Sequence, residues 1–117
     1  EMTYGPTALS FLEFVSRLYG INITVREIYW GAINSPYDWS YTQQWGDDCF
    51  QLIKKGDDAQ AIRNGEKLFE FKTGFRIVTD HNGVLKSAIR IDEGFDVLCV
   101  DGVVHTSLSP NETYTFN

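Results

Sequence analysis

Two cysteines and two histidines are the side chains of this 117-residue sequence that could act in covalent or acid–base chemistry. Cys49 follows Asp47 and Asp48 at the start of a predicted helix, where the helix dipole lowers the pKa of a thiol and nearby carboxylates raise it. His105 lies in a strand-like run after an Asp-Gly turn, and an imidazole can activate a thiol nucleophile. The structural alternative is that Cys49 packs as a small apolar side chain and His105 is a half-buried strand residue.

Metal and cofactor chemistry has no support in the residue spacing. The sequence contains neither Cys-x-x-Cys nor His-Glu-x-x-His, and its Cys and His residues are scattered singly. It also lacks the Gly-x-x-x-x-Gly-Lys loop that cradles phosphates. We therefore expect no metal site and no cofactor, with His81 a solvated turn residue and with Cys49 and Cys99 either bridged or free.

Composition and charge narrow the partners of this chain. The length fits a single domain over 1–117, and 43% hydrophobic and 22% charged residues are ordinary for a globular protein. A formal net charge of −6 argues against nucleic acid and anionic membranes, and no apolar run is long enough to span a bilayer. We expect no nucleic acid and no membrane insertion. A cytoplasmic location is favoured by default, and the oligomeric state stays open.

The N-terminal third of the chain favours helices. Over residues 7–18 the apolar side chains recur at helical spacing, and Gly20 follows them where a left-handed cap would end the helix. Thr24 and Glu27 form a Thr-x-x-Glu capping box that would open a second helix. The sequence therefore predicts a helical hairpin over 1–34.

The segment 35–48 is rich in aromatic residues with polar tips, and we expect it to form a loop. Its rings belong to Tyr37, Trp39, Tyr41 and Trp45. Such side chains suit a recognition surface, or alternatively they fill a gap between helices and sheet. Residues 49–63 then read as a helix, with acidic residues at its start and basic residues further along.

Beyond residue 64 the sequence is punctuated by turn pairs, and short runs of strand-forming residues separate them. The pairs are Asn64-Gly65, Thr73-Gly74, Asn82-Gly83, Glu93-Gly94 and Asp101-Gly102. This spacing predicts an antiparallel β-meander over 64–117. Helices followed by a sheet make an α+β architecture, in which the N-terminal helical hairpin packs on the C-terminal sheet.

Residues 4–9 read Tyr-Gly-Pro-Thr-Ala-Leu, and residues 19–28 read Tyr-Gly-Ile-Asn-Ile-Thr-Val-Arg-Glu-Ile. These segments resemble the opening of the bacteriocin-processing, double-glycine leader peptidases, a papain-like family in which a nucleophilic Cys precedes the Gly. Here Tyr4 holds that place, and a phenol cannot supply the thiolate that attacks a peptide carbonyl. The resemblance implies a papain-like α+β fold with a degenerate active site.

The leading hypothesis is a non-catalytic, peptidase-related module that binds a peptide or partner protein. The ligand would lie in a groove between the helical hairpin and the sheet. The expected binding residues are Tyr4, Trp30, Trp39, Trp45 and His105.

Two alternatives remain open. The spacing of Gln43 and Cys49 resembles the papain-type order, so the chain could be an active cysteine peptidase or thiol hydrolase. Cys49 would then attack, His105 would be its base, Asn111 would orient the base and Gln43 would stabilise the oxyanion. The second alternative, an acidic inhibitor or immunity-type protein, rests on the net charge.

Overall fold

The computed structural model describes residues 19–117, which form eleven β-strands and no helix. Within these residues, therefore, no helix could cross a membrane. The strands are Gly20–Ile23 (β1), Ile28–Ala32 (β2), Trp39–Trp45 (β3), Asp48–Lys55 (β4), Asp58–Arg63 (β5), Glu66–Lys72 (β6), Phe75–Thr79 (β7), Leu85–Arg90 (β8), Val97–Val100 (β9), Val103–Ser107 (β10) and Thr113–Thr115 (β11).

The strands build two antiparallel sheets that enclose one apolar core. One sheet has five strands in the order β1-β2-β7-β8-β11, and the other has six in the order β10-β9-β6-β5-β4-β3. Trp30 of the five-stranded sheet lies between Phe50 and Phe69 of the six-stranded sheet, with ring centroids 6.1 and 5.7 Å apart. The indole N–H of Trp30 donates to the Thr79 hydroxyl at 2.9 Å, which satisfies the one polar atom of this buried ring.

The second helix of the predicted N-terminal hairpin is wrong, because residues 20–32 form the β1–β2 hairpin. The Glu27 N–H donates to Thr24 Oγ1 at 3.0 Å, as in a capping box. However, the Thr24 N–H also donates to the Glu27 carbonyl at 2.8 Å, and this bond closes a turn between two strands. The same Thr-x-x-Glu spacing thus serves a hairpin as well as a helix start. The first predicted helix, residues 7–18, lies outside the described residues.

The helix predicted over 49–63 is also wrong, because this segment forms the β4–β5 hairpin. Phe50 and Leu52 are fully buried, whereas Ile53 lies on the opposite face and is only half-buried. This is the two-residue period of a strand, and the apolar Ile53 on the outer face obscured it in the sequence. The loop predicted for 35–48 is in large part the strand β3.

The strand-like runs predicted beyond residue 64 coincide with strands β6 to β11. At the β5–β6 turn, Asn64 and Gly65 have φ angles of 51° and 85°, the left-handed values that an Asn-Gly hairpin turn needs. The runs do not form one meander, because β6 and β7 belong to different sheets, as do β8 and β9. The described part of the chain is therefore all-β, and the predicted α+β, papain-like architecture is wrong.

Replacing Trp30 should cost far more stability than replacing an exposed tryptophan. We expect Trp30→Ala to lower the free energy of unfolding by about 3–5 kcal/mol, because it empties the centre of the core. Trp45→Ala, at a ring that is 38% exposed, should cost well under half as much. Urea unfolding followed by circular dichroism measures both, and equal losses would contradict the position of Trp30 between the sheets.

Candidate functional site

The longest exposed strand edge in the described part of the chain belongs to β3. Among residues 19–117, β3 pairs with β4 alone, and the register continues without a shift over all seven residues from Trp39 to Trp45. The other sheet edges are shorter or irregular: β1 has four residues, β11 has three, and β10 shifts its register after Val104. Short or bulged edges resist the addition of another strand, and β3 has neither protection.

The sequence of β3, Trp-Ser-Tyr-Thr-Gln-Gln-Trp, contains no charged residue and no proline. Charged residues and prolines are the usual devices that prevent pairing at an edge. All of its residues except the half-buried Trp39 are exposed. Among residues 19–117, β3 therefore offers a row of backbone groups that no second strand pairs with, and it has no charge or proline that would repel an incoming strand.

The two faces of β3 differ in chemistry. Tyr41 lies opposite Leu52 in the register, and Gln43 lies opposite Phe50. Because opposed residues of an antiparallel pair point to the same side, the residues that share a face with these two core residues lie on the core side of the sheet. That side carries Trp39, Tyr41, Gln43 and Trp45, and the solvent side carries Ser40, Thr42 and Gln44.

On the core side of β3, strand β1 packs against the ring of Tyr41. Gly20 lies beneath the ring of Tyr41, so closely that a Cβ atom on Gly20 would be 2.9 Å from the ring. The Tyr41 and Trp39 rings meet edge to face, with centroids 5.5 Å apart and planes at 86°. With Tyr19 and Ile33 these rings line a groove of about 280 Å³. We call Trp39, Tyr41 and Trp45 the aromatic row of β3.

A buried lysine fixes the segment that leads into β3. Lys54 is 1% exposed, and its ammonium group donates to the carbonyl oxygens of Ser35 and Tyr37, the latter at 2.7 Å. The Asp38 carboxylate accepts a hydrogen bond of 2.9 Å from the N–H of Gly56 in the β4–β5 turn. These bonds hold the start of β3 against β4 and leave Tyr37 75% exposed beside it.

The opposite end of β3 is held by His81. Its ring meets Trp45 edge to face at a centroid distance of 5.7 Å. Its Nε2 atom lies 2.7 Å from the Thr24 carbonyl, which can only accept, so Nε2 carries the proton. Arg63 donates to the His81 carbonyl at 3.0 Å and to the Asp48 carboxylate at 2.9 Å. The loop of His81 is thereby tied to the hairpin that ends β3.

The Asp48 carboxylate is the negatively charged member of the contacts that link Arg63 and His81 to the end of β3. Hydrogen bonds from Asn64 and from Arg63 hold the pKa of Asp48 below its usual value. Asn64 also accepts a hydrogen bond from the backbone N–H of Cys49 at 2.9 Å. The β3–β4 turn and the β5–β6 turn are thus joined by side chains, which stiffens this end of the edge.

The residues of the thiol-hydrolase alternative are not brought together. Cys49 lies on β4 and His105 on β10, four strands apart in the six-stranded sheet, which corresponds to about 19 Å. Gln43 faces the core side, while Cys49 faces the solvent side of the neighbouring strand. Cys49 and Cys99 are both free thiols, and Cys49 does not start a helix.

His105 has aromatic neighbours at the other edge of the sheet. Its ring lies 5.0 Å from the Phe116 centroid and 5.8 Å from that of Tyr114. Asn111 lies in the turn before β11, where φ is 66° and its N–H donates to the Arg90 carbonyl. Residues 19–117 contain no group of three or more His, Cys, Asp or Glu residues that could hold a metal ion.

Of the five expected binding residues, the structure places two on the edge of β3. Trp39 and Trp45 belong to the aromatic row, whereas Trp30 is fully buried in the core and His105 lies at the opposite edge. Tyr4 lies outside the described residues. The prediction missed Tyr41 as a member of the site, although the alternation of aromatic and polar residues from 39 to 45 was a signal for it.

The described residues thus form an all-β fold of two antiparallel sheets with one long edge strand open to pairing. Comparison of the chain with protein-family models, with curated proteins and with solved structures gave no significant match.

The contact between Gly20 and Tyr41 can be tested with a matched pair of substitutions. Gly20 and Gly46 both have left-handed φ angles, +74° and +60°, but a Cβ atom would meet no other atom within 4 Å at Gly46. Gly20→Ala should therefore cost more stability than Gly46→Ala, which carries only the backbone penalty of about 1–2 kcal/mol. Chemical denaturation measures both.

The Gly20→Ala/Tyr41→Ala double variant should be more stable than the sum of the two single changes predicts, because removing the ring removes the clash. Additive losses would show that the ring does not lie over Gly20.

The lowered pKa of Asp48 predicts a specific pH dependence. Its stabilising contribution is fully present above the unfolded-state value of about 3.9 and is lost as the pH falls through the lower folded-state pKa. Asp48→Asn should therefore reduce stability near neutral pH and flatten the loss of stability as the pH falls below about 5. Thermal melts across this range measure the effect.

Asp47→Asn is the control, because it makes the same charge change at an exposed carboxylate with no ion pair to the described residues. If the loss of stability at low pH becomes equally shallow in both variants, the effect is due to net charge instead of the contacts of Asp48.

Proposed function

We propose that this domain is a non-catalytic binding module that adds an extended segment of a partner protein to its six-stranded sheet along β3. The observation that carries the proposal is the edge itself, which is seven residues long, regular in register, uncharged and free of proline. In strand addition the main-chain hydrogen bonds supply affinity and the alternating side chains supply specificity.

The side chains of β3 define the kind of segment that would fit. A paired strand has the same two-residue period, so every second residue of the ligand would lie beside the aromatic row. Tyr41 and Trp45 are 48% and 38% exposed, which leaves apolar surface for those residues to cover. The intervening residues would lie beside Ser40, Thr42 and Gln44. The favoured ligand therefore alternates apolar and polar residues over about seven positions.

The separation of the candidate catalytic residues supports a non-catalytic function. A general base must lie within hydrogen-bond reach of the nucleophile that it activates. Cys49 and His105 are separated by about 19 Å across the sheet. Gln43 and Cys49 face opposite sides of it. The acidic-inhibitor alternative rests on the net charge of −6, and no contact among the described residues favours it.

Strand addition can be tested with peptides selected from a random library. It predicts which backbone amides of a selected peptide are needed for binding. Peptides about twelve residues long, selected by display against the immobilised domain, should alternate apolar and polar residues. In a selected peptide, N-methylation of one alternate set of amides should weaken binding at least tenfold, since only every second N–H points toward β3. Methylation of the intervening amides should leave the affinity nearly unchanged.

The location of binding needs a matched pair of protein variants. Trp45→Ala removes a ring from the aromatic row and should weaken binding, whereas Val104→Ala changes an exposed apolar residue of β10 and should not. Calorimetry with the same peptide compares them. Peptides that bind both variants equally, with no two-residue period in the methylation scan, would refute strand addition at β3.

A further inference from the structure

We infer that the partner strand is β3 of a second copy of this chain, paired antiparallel about a twofold axis that passes through Thr42. This inference rests on the proposed function, because it names the partner of the same edge. It makes the domain a homodimer in which two six-stranded sheets become continuous.

The two ends of β3 mirror each other about Thr42, because Trp39 and Trp45 lie three residues on either side of it. In an antiparallel pair centred there, each residue meets the one at the same distance on the other side of the axis. The opposed pairs are Trp39 with Trp45, Ser40 with Gln44, Tyr41 with Gln43, and Thr42 with itself. Aromatic pairs and Thr–Thr pairs are among the favourable cross-strand neighbours, and no like charges are opposed.

This register also keeps the two faces of the sheet consistent. Each core-side residue meets a core-side residue, so the aromatic rows of both copies lie on the same side and cover each other. A slip by one residue would instead place Trp39 opposite Gln44, a solvent-side residue, and would turn one copy over. Centring the pair on Tyr41 or Gln43 keeps the faces but pairs only five of the seven residues of β3. The Thr42-centred register pairs all of β3.

The charge of the chain sets the expected salt dependence. Each copy carries a net charge of −6, whereas β3 itself is neutral, so the copies repel each other over long range and not at the edge. Salt screens this repulsion, and dimerisation should therefore strengthen as the salt concentration rises. A cationic peptide on the same edge would show the opposite trend.

The twofold axis allows a sharp test by analytical ultracentrifugation of the complete chain. The wild type should approach twice its mass of 13.4 kDa as its concentration rises. Thr42→Lys alone and Thr42→Glu alone should each weaken dimerisation at least tenfold, because a residue on the axis faces its own copy and like charges become opposed. An equal mixture of the two variants should dimerise again, which also shows that both variants fold. Val104→Lys on β10 is the control and should dimerise like the wild type.

Disulfide cross-linking tests the register in a Cys49→Ala/Cys99→Ala background. Thr42→Cys should form a covalent dimer by itself, because opposed residues of antiparallel strands lie about 4.5–5.5 Å apart at Cα. Ser40→Cys alone should not cross-link, but its mixture with Gln44→Cys should.

The outcomes separate this inference from the proposed function. A chain that stays monomeric while selected peptides still bind β3 overturns the homodimer and leaves strand addition intact. A dimer that persists in both single charge variants places the interface elsewhere and overturns the inference. A chain that neither dimerises nor binds peptides overturns both.

Discussion

Backbone hydrogen bonding at β3 is the physical constraint that makes this strand a site for a partner. A strand has donors and acceptors along both of its sides, and within residues 19–117 β4 satisfies those on one side of β3 only. Water can satisfy the others, so the net gain from each hydrogen bond to a partner strand is modest, about 0.5–1.5 kcal/mol. Over the seven residues of β3, the free energy gained from these hydrogen bonds would add to that gained from burying the aromatic side chains. The short or bulged edges at β1, β10 and β11 offer a smaller gain, which is why β3 stands out among the four edges.

The surrounding structure holds this edge in the extended form that pairing requires. Lys54 anchors the segment before β3 by two backbone carbonyls, and the Arg63–Asp48 pair ties together the turns at its far end. Between these ends, Gly20 gives the Tyr41 ring a flat surface to pack on. An edge that is already ordered loses less conformational entropy when a partner binds. The same contacts thus serve both the stability of the sandwich and the affinity of its edge.

The sequence predicted the tight turns, whose residues need particular backbone angles, but it did not predict which strands pair with each other. Asn64-Gly65 and Asp101-Gly102 need left-handed backbone angles in a tight turn, and both pairs have them. Thr24 and Glu27 make a local hydrogen bond that is shared by helix caps and hairpins, so the pattern could not decide between them. In β4 the apolar Ile53 on the outer face concealed the alternation of Phe50 and Leu52. The division of the strands between two sheets depends on long-range pairing, which no local spacing encodes.

The sequence predicted part of the site, because the chemistry of its aromatic side chains is a local property. The rings of Trp39 and Trp45 indicated a recognition surface by their chemistry, and both lie on the exposed edge. The sequence did not show that Trp30 is enclosed by both sheets, or that Cys49 and His105 are separated by the intervening strands. Exposure and distance are properties of the sheet order. They became available only when the pairing of β3 with β4, and of β9 with β10, was known.

Amide hydrogen exchange along β3, followed by NMR from dilute to concentrated protein, tests the central claim most directly. In dilute solution, every second amide of β3 should exchange rapidly, because its N–H points away from β4, while the intervening amides are protected. At high concentration, or with a bound peptide, the rapidly exchanging set should become protected as well. Equal protection of all β3 amides in dilute protein, or no gain of protection under either condition, would contradict the claim that this edge is open to a partner strand.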